Sequence, residues 1–258
     1  MNNFTYEKLH NNLLHLKLDT IEAILDNYLE FAVKDGKTTM EVLDHLFEQE
    51  RKHRDAIAID RRMKCAAFPV IKTLEEFDFD FQPSIEKGVI EDLATLRFIH
   101  NTENLVLLGP PGVGKSHLAI ALGVKAVKVG FTVYFVNASY LIERLNKANR
   151  EGVLEKKIKD FTKFKLLIID EMGYIPFDEE GAHCLFQLIS KRYERSSTIF
   201  TSNKSYGEWG EIFKDHVIAA AVLDRILHHC ITINIKGESY RLKERKRQGI
   251  KAELIQQF

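Results

Sequence analysis

The chain of 258 residues is short of cysteine: Cys65, Cys184 and Cys230 stand far apart with no Cys-x-x-Cys pair. This excludes a disulfide framework and a cysteine-based zinc site, and it fits a reducing cytosol. Long apolar runs are missing too. None nears the ~18 residues that a membrane span needs, and the opening Met1–Lys8 has no apolar h-region, so a soluble, cytoplasmic protein without membrane contact is expected. Charge of one sign is also lacking, since 37 basic and 37 acidic side chains leave a net +0. Any nucleic-acid contact must therefore come from local patches. What remains, 45% hydrophobic and 29% charged residues, is the composition of a globular chain long enough for one large α/β domain plus a smaller segment.

Against these absences one stretch stands out, Gly109-Pro110-Pro111-Gly112-Val113-Gly114-Lys115-Ser116. It fits G-x-x-x-x-G-K-[ST], follows the apolar run Leu105-Val106-Leu107-Leu108 and precedes a helical pattern reaching about Lys128. Glycines allow the backbone to wrap phosphates, so that N–H groups and a helix N-terminus meet negative charge. Lys115 would reach the β- and γ-phosphates of ATP, and the Ser116 hydroxyl would hold Mg²⁺.

Upstream, Leu14, Leu18, Ile21, Leu25 and Tyr28 alternate steps of four and three, predicting one amphipathic helix over about 13–29. Thr38 and Glu41 read as a capping box opening a second helix whose buried face is Met40, Leu43, Leu46 and Phe47. The basic stretch Arg51–Lys64 continues it, as a solvated face or a phosphate- or partner-contacting surface. In 68–83 prolines bracket Phe77-Asp78-Phe79-Asp80-Phe81, an alternation that predicts an extended linker packing across the core. A helix over 84–100 then leads to five strands alternating with helices: 104–108, 131–136, 165–171, 198–202 and 231–235. That alternation predicts a parallel sheet with helices on both faces.

Chemistry gathers at the strand ends. Leu167-Ile168-Ile169-Asp170-Glu171 closes an apolar strand with two acids, the first to support the Mg²⁺ shell and the second to orient and deprotonate an attacking water. Asn203, at the tip of the next strand, is within reach of that water or is simply a turn residue. Arg225, before the last strand, reads as a surface ion-pair residue or as an arginine offered to a neighbouring subunit's nucleotide. His228-His229 is given no metal, because adjacent helical positions do not face each other and no acid stands at ligand spacing. The tail Arg241–Arg247, with five bases and one acid, is a solvated helix or a DNA-backbone contact.

These residues, from about Leu13 to Gly249, resemble the IstB-type AAA+ ATPases, transposition helpers of bacterial insertion sequences, and more distantly the DnaC and DnaI helicase loaders. The resemblance rests on Gly109–Ala119, Leu167–Pro176, Thr201-Ser202-Asn203, Glu208–Phe213, Leu223-Asp224-Arg225 and Gly237–Arg241. It implies a P-loop AAA+ core with a five-stranded parallel sheet and no C-terminal lid over 84–258, a linker over 68–83 and a small all-helical domain over 1–67. It further implies that the loop residues and His117 bind ATP, that Asn203 is the first sensor, Arg225 the arginine finger and Arg241 a second sensor. The expected partners are double-stranded DNA bound with little sequence preference, the cognate transposase, and further copies of the chain with ATP at their interfaces. A helicase loader, a small-molecule kinase and an ATP-holding switch are the competing readings.

Overall fold

The computed structural model describes residues 3–174 and 176–247; Ile175 and the residues from Gln248 on lie outside it. Two compact units result, Met1–Arg61 and Arg62–Phe258. In the first, α1 (Asn3–His15) and α2 (Asp19–Lys34) pair with the start of α3 (Thr39–Cys65).

The single helix expected over 13–29 is instead broken at 16–18, where Lys17 is left-handed at φ 55°. A distant residue causes the break. The buried Glu50 carboxylate accepts the Thr20 and Ile21 amides at 2.9 and 3.2 Å, capping α2 from thirty positions away, while Arg54 donates to Glu50 and to the Lys17 carbonyl. Burial pushes the Glu50 carboxyl up, but Arg54 and the two amides outweigh it and leave it below the usual carboxylate range. The reciprocal Thr38–Glu41 cap forms as expected.

The buried face of α3 differs from the expected one. Leu46 is buried, but Met40 is 75% and Phe47 56% exposed, and Leu43 and Leu14 are exposed as well. With only two partner helices, a single stripe can be covered. Val42 and Leu46 supply it, four residues apart, against Leu13, Ile21 and Leu25. Within the basic stretch, Arg51, Lys52 and Arg54 are in ion pairs one helical turn from acids.

In the second unit the segment 68–83 is a chain of turns and not an extended strand. Phe77 N–H donates to the Leu74 carbonyl, Gln82 N–H to that of Phe79, and Asp78 caps the Phe81 amide, so local polar closure overrides the alternating pattern. The expected helix over 84–100 is likewise split, into α4 (Lys87–Leu93) and α5 (Arg97–His100), by Leu96 at φ 63°.

Then follow β1 (Asn104–Leu108), α6 (Lys115–Lys128), β2 (Val133–Asn137), α7 (Ala138–Arg150), α8 (Leu154–Thr162), β3 (Leu166–Met172), α9 (Glu179–Arg192) and β4 (Ser197–Ser202). A short 3₁₀ turn, α10 (Trp209–Phe213), α11 (His216–Leu227), β5 (Cys230–Asn234) and α12 (Tyr240–Arg247) complete the described chain. The strands are all parallel in the order β2-β3-β4-β1-β5, and the sheet is sandwiched between helices. One core joins Val106, Leu167, Ile169 and Phe200 to α7–α11, while on the other face Ile168 packs at Gly123 of α6.

Beneath α9 the buried Arg192 donates to the carbonyls of Phe161, Phe164 and Ser197 and to the Thr198 hydroxyl. Burial lowers its pKa, yet four acceptors hold the charge in place. Arg192→Met leaves them unmatched and is expected to destabilise this unit by about 3 kcal/mol or more, measured by denaturant unfolding.

Candidate nucleotide-hydrolysis site

β1 delivers the loop and α6 begins at Lys115, so the loop glycines set its shape. Gly112 and Gly114 have φ of 83° and 101°, conformations that side chains resist, and a Cβ on Gly114 would meet the Phe77 ring at 2.6 Å. Lys115 Nζ folds back on the loop, 2.6 and 2.8 Å from the Gly109 and Pro110 carbonyls. Burial lowers the Lys115 pKa most, Asp170 raises it, and Arg241 lowers it again. A phosphate there would relieve this concentration of positive charge.

Ser116 Oγ donates to Asp170 Oδ1 at 2.8 Å, and Thr201 Oγ1 donates to the same oxygen at 2.5 Å. The two acids separate at a bulge in the β3–β4 register between Ile169 and Met172. Asp170 stays buried, whereas Glu171 takes φ 61° and is exposed, its amide fixed 2.9 Å from Thr201 Oγ1. Asn137 Nδ2, at the end of the adjacent β2, donates to Glu171 Oε2 at 2.5 Å. The bulge thus assigns the carboxylates different places, one inward beside Ser116 and one outward.

Two cavities meet at the loop. The larger, about 420 Å³, lies between the loop and the 68–83 segment and is lined by Val70, Phe77, His117, Tyr240 and Arg241. The smaller, about 60 Å³, brings Lys115, Ser116, Glu171, Asn203 and Arg241 together. Arg241 reaches both because α12 is tied down. The Tyr240 amide donates to the Gly112 carbonyl, its ring packs edge-on to Phe81, and Lys243 sits 3.9 Å over Phe81 and 3.4 Å from Asp78. The start of the basic tail is therefore a wall of this site. His117 faces the opposite segment, 2.8 Å from the Thr73 carbonyl and edge-on to the Phe77 ring.

Of the residues expected from sequence, the structure gathers Pro111, Gly112, Val113, Gly114, Lys115, Ser116, His117, Asp170, Glu171, Asn203 and Arg241 here. It leaves Arg225 elsewhere. Arg225 packs over Phe186 at 4.7 Å and donates to Ala221 O, near Ile226, whose carbonyl accepts from Asn104, the first residue of β1. The loop starts after the last residue of that strand, ~13 Å along it. Thr201 and Asn137 were missed by sequence reasoning. Their signal was a polar residue at the carboxyl end of strands flanking β3.

A parallel sheet in this order with a phosphate loop after β1, an acid pair ending β3 and a polar tip on β4 defines an AAA+ P-loop ATPase. Solved structures agree in fold: DnaI, TM-score 0.53, 22% identical, covers 64% of this chain and 90% of its own. AMPPCP-bound DnaA from Aquifex aeolicus, TM-score 0.51, is 19% identical over 68% of this chain and 54% of its own. More specifically, the family described as IstB-like ATP binding protein matches residues 11–248, and the chain belongs to that family. The insertion-sequence IS21 ATP-binding protein of Pseudomonas aeruginosa is 48% identical over 92% of this chain and 90% of its own length. The IS5376 counterpart of Geobacillus stearothermophilus is 46% identical over 94% and 96%. Among the described residues no helix is long and apolar enough to cross a membrane.

Proposed function

We propose that the chain is the ATP-hydrolysing helper of an insertion-sequence transposition system, assembling on target duplex DNA with ATP at its subunit interfaces and delivering that DNA to the transposase. The observation that carries this reading is the separation of Arg225 from the chain's own phosphate loop, since a catalytic arginine at the far end of the strands needs a second copy to act. Relatives named for insertion sequences support the setting.

Within the site, Lys115 and Arg241 receive phosphate charge, and Asn203 holds the attacking water with Glu171 as its base. Ser116 and Asp170 are hard oxygen donors side by side and suit Mg²⁺, which would neutralise charge on the β- and γ-phosphates. Asn137 engages one oxygen of Glu171, Oε2, and so orients the carboxylate.

The test is the mass of the protein in solution with ATP, with and without duplex DNA, at two salt concentrations. Growth into a large assembly on DNA, with affinity falling steeply as salt rises and little dependence on sequence, is expected from phosphate neutralisation. A monomer under every condition would overturn the assembly and leave only the nucleotide site. Indifference to which DNA replication proteins are present, with turnover stimulated by the transposase, separates this reading from a helicase loader.

A further inference from the structure

The end of α11 offers a second chemical group, remote from the phosphate loop. His228 caps α11 and His229 is already off the helix, so the premise that the two rings sit on one helix and diverge does not hold: their centroids are 4.1 Å apart. An acid joins them from another element. Glu194 follows the end of α9, held left-handed at φ 56°, and its Oε1 lies 3.8 Å from His228 Nδ1 and 3.7 Å from His229 Nε2. One ligand atom from each of the three residues falls within 4.8 Å of the others, and all three side chains are exposed to incoming ions.

We propose that Glu194, His228 and His229 form a binding site for a transition-metal ion of the Zn²⁺ class. Two imidazoles and one carboxylate are a ligand set that such ions accept and Mg²⁺ does not prefer. Ligand atoms of a tetrahedral zinc ion stand ~3.3 Å apart, given bonds of ~2.0–2.1 Å. From the Glu194 oxygen to the two ring nitrogens the observed 3.8 and 3.7 Å need a few tenths of an ångström of contraction, and the nitrogens themselves lie within 4.8 Å of each other. Binding displaces the Tyr193 hydroxyl, which lies 2.7 Å from His228 Nδ1 and also interacts with Glu194. The fourth position stays open to water.

The placement gives the ion something to do. Glu194 closes α9, while the histidines join α11 to β5, so a bound ion staples the two helix ends together. Tyr193 and Arg225 line one small cavity there, so the staple lies beside the arginine that the proposed function offers to a neighbouring copy. The metal site itself stands independently of that role.

The experiment is titration of the tag-free, full-length protein with Zn²⁺ alone, by calorimetry, and with Co²⁺, by absorption, in the absence of nucleotide. One ion per chain is expected, with a Co²⁺ spectrum of nitrogen and oxygen coordination and a rise in melting temperature. His228→Ala, His229→Ala and Glu194→Ala should each weaken binding by about tenfold or more, since losing even supporting partners of metal ligands costs that much. All three lie on the surface, and equal melting temperatures of the metal-free variants and wild type show that folding is preserved. Stoichiometric binding that persists in His228→Ala and His229→Ala, or a thiolate band tracing the Co²⁺ to cysteine, would overturn the site, as would no binding by the wild type.

Discussion

Glu171→Gln is expected to lower ATP turnover by about 10²- to 10⁴-fold while ATP affinity stays within a factor of a few. Asp170 lies buried against Ser116 and Thr201, inside the loop's hydrogen-bond network, so the neighbouring carboxylate is the one free to take a proton. Glutamine keeps the size of Glu171 and its contact with Asn137, and removes only the basic oxygen. Radiolabelled ATP binding and phosphate release measured on one preparation separate the two quantities. Unchanged turnover would mean that the chain holds ATP as a switch and that another group handles the water.

Arg225→Ala has an effect of comparable size for a different reason. Turnover of the assembled protein should fall by about 10³-fold or more, the usual contribution of an arginine that meets transition-state charge. Binding of ATP to the isolated subunit should be unaffected, because Arg225 touches Phe186 and the Ala221 carbonyl and no part of its own phosphate loop. Were Arg225 only a packing residue over Phe186, the loss would be in melting temperature and turnover would change little.

What the sequence showed and hid follows from how far each interaction reaches along the chain. The phosphate loop is eight consecutive residues, and Asp170 and Glu171 close a strongly apolar strand, so local pattern placed them, whereas Asn203 follows the largely polar strand Ser197–Ser202 and its role came from the resemblance. The separation of the two acids depends on a bulge set by the Thr201 hydroxyl on the neighbouring strand, which no local string announces. The same limit applies to the break before α2, imposed by Glu50, and to the meeting of Glu194 with His228 and His229. In 68–83 the alternating rings suggested a strand, but Asp78 closes a turn on Phe81 and directs Phe77 onto the loop. On α3 the period was right and the phase wrong, because two partner helices cover only the Val42–Leu46 stripe. For Arg225 the residues left a surface ion pair and an offered arginine both open, and the resemblance chose the second. The distance of Arg225 from the loop is what gives that assignment a physical sense.

The most direct test of a shared ATP site is to mix two inactive proteins on duplex DNA, Lys115→Ala, which lacks a working phosphate loop, and Arg225→Ala, which lacks the offered arginine. At equal amounts about a quarter of the interfaces in a random assembly pair an intact loop with an intact arginine. The account predicts that ATP turnover reappears in the mixture in that proportion. Turnover no greater than the sum of the two separate proteins, in assemblies shown to contain both, would contradict it.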